Sequence, residues 1–434
     1  MRPVVRRSRL AGLLAVAALV AGSLLPAAIC AVDDFGAPAF PLTRDRIHVF
    51  DDQLDTNISD AQLGFVTSHM DGAQKVPRAF TDRLHRANPS FIVMHYRVGL
   101  GLGYRASTAG CNAAGEWIRI IDGNRWIREW PRAADIDPDW FKGAAPGKAR
   151  RYLCDWGWYL VNTDRASWRS WWSKQVRAQL ADNDADALFL DSVSVPNQLG
   201  TFSPPIAAYA PSFEQAWSAR IQRWLPWVRT RLDIPVIANA GWWVTSRDTT
   251  DYRGATGVMI EGFAQPASSS TFATGDWTLQ MNRALGITTI GRVLIAQSYP
   301  GAGDVQARMF IVGSYLLVRG DHAFVNLETG FAPAWFPEYD LPTGAAIDPL
   351  PATIDAFRQG DLYVRRFQGG AVVVNPGDAP ATWTPPAPMN RLIPSGGGNL
   401  PADGAIPVGW RLDPSPVPGD LTLQPHEAAF LVPA

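Results

Sequence analysis

The chain is short of the residues that build metal and redox centres, with six histidines and three cysteines in 434 residues. No two of His48, His69, His85, His95, His322 and His426 stand at His-x-His or His-x-x-x-His spacing, so no metal centre is expected. A mixed site drawn from Asp51, His95 and Asp155 is the one arrangement that keeps zinc-dependent hydrolysis open. No Gly-x-Gly-x-x-Gly leads from a strand candidate into a helix, and no Gly-Lys-Ser/Thr occurs. Nucleotide-binding folds lose their signature, and no organic cofactor is expected. Ser192 has no Gly-x-Ser-x-Gly elbow around it, which argues against a serine esterase. Charged residues make up only 18% of the chain. Hydrophobic residues reach 47%, enough for a large folded core and incompatible with disorder.

Long apolar runs are confined to the first thirty residues. Arg2, Arg6, Arg7 and Arg9 precede an apolar stretch from Leu10 to Ile29, with Pro26, Ala27 and Ala28 near its end. This is the pattern of a signal peptide over residues 1–30, which is excluded from the fold. A secreted, periplasmic or cell-surface protein follows. Ile29 before Cys30 argues against lipoprotein processing, which wants a small residue there. No stable membrane span is expected in the mature chain. Its 35 basic residues against 40 acidic give a net charge of −5, which excludes nucleic acid as an expected partner. A monomer is expected. Cys111 and Cys154 are an even pair suited to a disulfide in an oxidising compartment.

What the chain has is β/α alternation. Eight short apolar runs read as strands: residues 47–50, 91–96, 158–162, 187–191, 236–240, 257–261, 292–296 and 322–326. They are continuous and do not alternate with polar residues, as strands buried on both faces do. Helical periodicity falls at 60–69, 166–182, 212–231, 275–285 and 304–318. Eight strands with helical crossovers predict a (β/α)8 TIM barrel over residues 31–345, an open doubly wound sheet being the alternative. Residues 97–157 form a long insertion containing Trp117, Trp126, Trp130, Trp140 and Trp156. Beyond 345, LYVRRF and AVVVNP flank a Gln-Gly-Gly turn, and residues 346–434 read as a small all-β sandwich domain.

Barrel enzymes draw their chemistry from the C-terminal strand ends. There the chain places Asp51 and Asp52; His95, Tyr96 and Arg97; Asn162; Asp191; Asn239; Glu261; Gln297 and Tyr299; and Asn326 and Glu328. Asp191 and Glu261 each close a run of apolar residues, where a carboxylate is costly unless it is paired or at work. Two strand-end acids are what glycoside hydrolysis requires, one to protonate the leaving oxygen and one to attack or to activate water. Asp191 is the expected nucleophile or base, and Glu261 the expected acid. Asp51, His95, Tyr96, Arg97, Trp156, Asn162, Asn239, Trp242, Gln297 and Tyr299 are the candidate sugar contacts. Glu328 is the reserve carboxylate.

At LFLDS, VIANA, MIEGF and the late YVRRF, AVVVNP and HEAAFLV segments the chain resembles the hypothetical bacterial glycosyl hydrolases related to endo-α-1,4-polygalactosaminidases and, more distantly, to α-galactosidase-type barrels. The resemblance implies a TIM barrel acting on a carbohydrate substrate. It also implies that the acid ending the fourth strand, matched by Asp191, is the nucleophile, and that the acid ending the sixth, matched by Glu261, is the acid/base. The distant relatives have Asp at the second place, and the Glu here leaves roles and stereochemistry open. A non-catalytic glycan-binding protein on the same scaffold, or a structural cell-surface protein, is the alternative reading.

The 18 tryptophans divide. Trp168, Trp171, Trp172, Trp217, Trp224 and Trp227 recur at helical spacing and are expected to pack helices, while Trp383 and Trp410 are expected in the core of the β-domain. The insertion members, with Trp242 and Trp243, are the candidates for stacking on sugar rings, and several of them are also expected to stabilise the insertion itself.

Overall fold

The computed structural model describes residues 40–102, 137–142, 150–206 and 211–434. The expected signal segment, Cys30, Cys111, Trp117, Trp126 and Trp130 lie outside the described residues. Cys154 is disulfide-bonded.

Eight parallel strands form one sheet: β1 (Phe50–Asp51), β2 (Gly72–Gln74), β3 (Ile92–Val98), β4 (Ala187–Asp191), β5 (Val236–Asn239), β6 (Gly257–Glu261), β7 (Val293–Ser298) and β8 (Ala323–Leu327). They pair in chain order, and a parallel bridge from Val49 to Val325 joins the first strand to the last and closes the barrel. Crossovers are carried by α1 (Asp60–His69), α2 (Arg78–Ala87), α3 (Ala166–Asn183), α4 (Pro211–Leu232), α5 (Thr274–Thr288) and α6 (Val305–Val318). The helix-packing tryptophans behave as expected: Trp168, Trp172, Trp217 and Trp224 are buried, and Trp171 and Trp227 pack partly against the same core. Among the described residues no helix is long and apolar enough to cross a membrane.

One expected barrel strand is replaced by another. Residues 158–162 do not enter the barrel. Trp158–Leu160 instead pairs antiparallel with Tyr152–Leu153 and with Gly101–Leu102, in a separate four-stranded sheet completed by Phe202–Ser203. Two apolar runs separated by a short turn that ends on Gly157, at φ 80°, make a hairpin and not a crossover strand. The barrel's own second strand is Gly72–Gln74, three residues between α1 and α2. The insertion therefore leaves from the end of the third barrel strand.

Side-chain alternation along the strands sorts inside from outside. Phe50, Ile92, Met94, Tyr96, Phe189, Ile237, Met259, Ile295 and Phe324 form one buried cluster that fills the barrel. Residues of opposite parity, among them Val93, Leu188, Leu190, Val236, Ala238, Val258, Ile260, Leu294 and Val325, pack outward with the helices. Gly72 is required at its inward position, because a Cβ there would come within 2.3 Å of the Phe50 ring.

After the barrel, a six-stranded antiparallel sheet is built around Leu362–Phe367, Gly370–Asn375, Met389–Ser395, Arg411–Val417 and Glu427–Pro433. One face, with Leu362, Val364, Val373, Ala429 and Leu431, packs on Leu421 and Leu423 of a two-stranded sheet, giving the expected sandwich. The other face meets α6, so closely that a Cβ on Gly313 would lie 2.5 Å from the Ala428 Cβ. Arg365 reaches across this contact and donates to the carbonyls of Leu316, Leu317 and Arg319 at 2.8, 3.2 and 2.9 Å, satisfying the C-terminal end of α6. Trp383 and Trp410 sit at the edges of these cores, not at their centres.

Candidate active site

Every barrel strand brings an inward polar side chain to its C-terminal end, and on β3 that residue, Tyr96, is followed on the same face by Val98. In order around the mouth these positions carry Asp52, Gln74, Tyr96, Asp191, Asn239, Glu261, Gln297 and Asn326. Hydrogen bonds link them into chains. Asp191 and Glu261 are half-buried, whereas Asp52, Gln74, Asn239, Gln297 and Asn326 are buried, so the two acids are the accessible members of a largely enclosed ring.

Asn239 joins the two acids. Its Nδ2 donates to Asp191 Oδ1 at 2.8 Å and to Glu261 Oε2 at 2.7 Å. Its Oδ1 accepts from the Gly241 backbone N–H at 2.9 Å, which fixes the amide with the nitrogen facing the carboxylates. Two oxygens bonded to one nitrogen at these distances stand within about 5.5 Å of each other. Tyr96 donates to Asp191 Oδ2 at 2.6 Å, and Tyr299 donates to Glu261 Oε1. Burial, then the charges of Asp191 and Asp52, push the Glu261 carboxyl above its ordinary range, with the donors Tyr299 and Asn239 opposing them.

A second centre lies across the ring on Asp52. It accepts from Gln74, from Lys75 Nζ at 3.0 Å and from Gln297 Nε2 at 3.0 Å. Gln297 Nε2 also lies 3.0 Å from Tyr299 Oη, linking this centre to Glu261. Burial pulls the Lys75 ammonium down, but Asp52, Asp191 and Glu261 outweigh it and leave the group raised. Lys75 follows the short β2 at φ 59°, a left-handed turn that a non-glycine residue rarely adopts. Glu328 is pushed up to about 7, first by burial and then by Asp52.

Several expected contacts lie elsewhere. His95 and Arg97 alternate with Tyr96 on β3 and therefore point out of the barrel, where His95 approaches Gln179 of α3 at 3.4 Å. Burial lowers His95 to about 4 and Arg97 to about 10. Asp51 has the outward parity on β1, and its carboxylate accepts from the Gln53 backbone N–H at 3.0 Å, which is turn chemistry. Burial and then Glu328 raise its pKa well above the carboxylate range. Asn162 follows the insertion sheet, where its Oδ1 accepts from Asp164 N at 3.3 Å. Trp156 is 57% exposed at the insertion hairpin turn, and among the described residues no hydrogen bond or ring contact joins it to the acid pair. Asp155, in the turn of that hairpin, accepts at 2.6 Å from the backbone N–H of Thr201, which precedes the Phe202–Ser203 strand, so Asp51, His95 and Asp155 do not converge. Among the described residues no group of three or more His, Cys, Asp or Glu side chains could hold a metal ion. His322 Nδ1 donates to the Pro41 carbonyl at 3.0 Å, away from the mouth.

Trp242 is 53% exposed and rests beside Gly262, the residue after Glu261, while Trp243 is buried against Tyr252. The site residues missed in the sequence are Gln74 and Lys75. Their signal was the Gly-Ala-Gln-Lys segment between two helices, too short to stand out as a strand.

A closed parallel barrel with two carboxyl groups at its mouth is a scaffold compatible with glycoside hydrolysis, and the family is given by the sequence comparison. The chain belongs to the hypothetical glycosyl hydrolase family 15, whose sequence pattern matches residues 85–371. Membership supports glycosidase activity in general terms and a carbohydrate as substrate. Among curated proteins there is no match. Among solved structures the chain is similar to the glycoside hydrolase domain of PelA from Pseudomonas aeruginosa, at 14% identity and a TM-score of 0.41 over 65% of this chain and 94% of that one. It is also similar to an α-amylase from Malbranchea cinnamomea, at 9% identity and a TM-score of 0.45, over 89% of this chain and 96% of that one.

Proposed function

We propose that the protein is an exported glycoside hydrolase that cleaves O-glycosidic bonds with retention, Asp191 acting as nucleophile and Glu261 as acid/base. The observation that carries this reading is the shared donor. Carboxyl groups about 5–5.5 Å apart suit a double displacement, whereas inversion needs ~6.5–9.5 Å to seat a water between them. The bonds from one Asn239 nitrogen to both acids favour the shorter gap.

In this scheme Glu261, whose raised pKa favours its acid form, gives its proton to the leaving glycosidic oxygen while an Asp191 oxygen attacks the anomeric carbon. A glycosyl ester on Asp191 results. Glu261, now ionised, takes a proton from water, and the hydroxide so formed breaks the ester and restores both groups. Tyr96 holds the nucleophile and Tyr299 the acid. Trp242 supplies an exposed ring for sugar stacking beside the acid. Residues 1–30 act as the export signal.

A hydrolysis screen of the mature protein, covering amino-sugar polymers, galactose polymers and plant glucans, tests the activity. Separate Asp191→Asn and Glu261→Gln variants test the roles. On an active glycan, proton NMR of the first-formed anomer should show the configuration of the cleaved linkage. An inverted first product, or full activity in either variant, removes this mechanism, and binding without product from any glycan favours a glycan-binding protein.

A further inference from the structure

A cavity with an apolar wall and a cationic rim lies outside the barrel. It encloses about 200 Å³ between the insertion sheet and the first turns of α4, and Lys142, Arg151, Arg220, Leu160, Phe213 and Trp217 line it. Leu160 pairs with Gly101 just past the C-terminal end of β3, and α4 follows β4. The cavity therefore opens on the same end of the barrel as the carboxylate mouth. It is smaller than the ~300–1,000 Å³ that drug-sized ligands occupy, a size suited to one sugar unit or less.

Its polar side chains are all donors. Lys142, Arg151 and Arg220 bring three cations together, and among the described residues none of the lining side chains carries an acceptor. Among the described residues Arg220 is paired with Asp164, and that carboxylate is shared: Arg220 Nε bonds it at 2.7 Å, while Arg223 and Arg169 stand 3.6 Å away. One carboxylate among three guanidiniums leaves the region positive. Arg151 is held in place by the carbonyls of Pro204 and Pro205. Trp217 adds a buried indole N–H that has no hydrogen-bond partner among the described residues. Burial and then the Arg220 charge press the Lys142 ammonium down to about 8, with Asp164 opposing them only in part. Phe213 and Leu160 give the cavity an apolar wall that a solvated surface cluster would lack.

We infer that this cavity is an anion-recognising accessory subsite that takes an acidic sugar unit, a pyranose bearing a carboxylate, sulfate or phosphate. Its cations hold the anionic group while the apolar wall receives the ring face. Such a site would select glycans that carry negative substituents away from the cleaved bond. The mouth does the opposite, since its ring presents three carboxylates to one lysine.

Isothermal titration of the full chain with methyl β-D-glucopyranosiduronate, methyl β-D-glucopyranoside and inorganic sulfate tests the assignment. The uronate should bind at least tenfold more tightly than the uncharged glucoside and than sulfate. Lys142→Gln, which breaks no ion pair among the described residues, and Arg220→Gln should each weaken uronate binding at least tenfold, and Asp191→Asn should leave it unchanged. Melting curves matching the wild type establish that the variants are folded, and Lys142→Gln carries the test if Arg220→Gln is not. Uronate binding unaffected by Lys142→Gln, or lost in Asp191→Asn, overturns the site. Sulfate binding as tightly as the uronate overturns the sugar part and leaves an inorganic anion site. The measurement requires no hydrolysis, so its failure is distinguishable from failure of the glycosidase reading.

Discussion

Asp191 and Glu261 share one hydrogen-bond donor, the Nδ2 of Asn239, which stands 2.8 Å from one acid and 2.7 Å from the other. The donor is itself aimed by the Gly241 backbone, so the separation of the acids is set by chain geometry and not by side-chain chance. Asn239→Ala should lower kcat by about 10²–10³-fold, the usual loss for a donor at a developing charge. Far-ultraviolet circular dichroism should stay native. Wild-type turnover in this variant would mean that the shared donor does not position the pair.

The pH profile should follow Glu261. An acid that must be protonated loses function as pH rises through its pKa, so a raised pKa carries activity above the ordinary glutamate value of ~4.3. Tyr299 bonds the carboxylate and lowers that pKa, whereas the Asp52 charge raises it. Tyr299→Phe should move the alkaline limb of kcat/KM to higher pH, and Asp52→Asn should move it lower. Shifts in the reverse sense would take the acid role away from Glu261.

Gly262 is needed where it stands. It lies at φ 74°, and a Cβ there would be 2.6 Å from Trp242 Cδ1. Gly262→Ala should displace the indole and raise KM about tenfold, equivalent to ~1.4 kcal/mol of binding. Trp242→Ala should raise KM in the same way with kcat within about threefold, as expected of a stacking contact. Unchanged KM in both would place substrate elsewhere.

The contact between the barrel and the C-terminal sheet should depend on Arg365. It is 2% exposed and satisfies three carbonyls at the end of α6. Arg365→Ala leaves them buried without a partner and should destabilise the fold by about 2–4 kcal/mol in urea unfolding. An unchanged midpoint would mean that water replaces the guanidinium freely.

Gly313 offers a separate probe of the same contact, because an added methyl there would meet the Ala428 Cβ at 2.5 Å. Gly313→Ala should cost about 1–3 kcal/mol by overpacking, although alanine is the better helix former. Equal or greater stability would show that α6 can move away from the sheet.

Composition and local pattern carried most of the barrel. Seven of its eight strands are apolar runs long enough to read, and five of its helices show their period, because burial on both faces of a parallel strand leaves a local mark. Asp191 and Glu261 were visible for the same reason, as charges standing directly after apolar runs. The second strand was not visible. Three residues, one of them a glycine fitted under Phe50, have no pattern of their own and are strands only because β1 and β3 flank them. Trp158–Leu160 has the composition of a barrel strand, and its place was settled by its hairpin partner Tyr152–Leu153. The same limit governed the site. Chain position brought His95, Tyr96 and Arg97 to one strand end, but pleat parity turned only Tyr96 inward. Asp52 and Lys75, with Gln297 far away in the chain, meet only once the sheet has closed into a barrel. Local sequence records which residues prefer burial, whereas closure decides which polar groups then face one another.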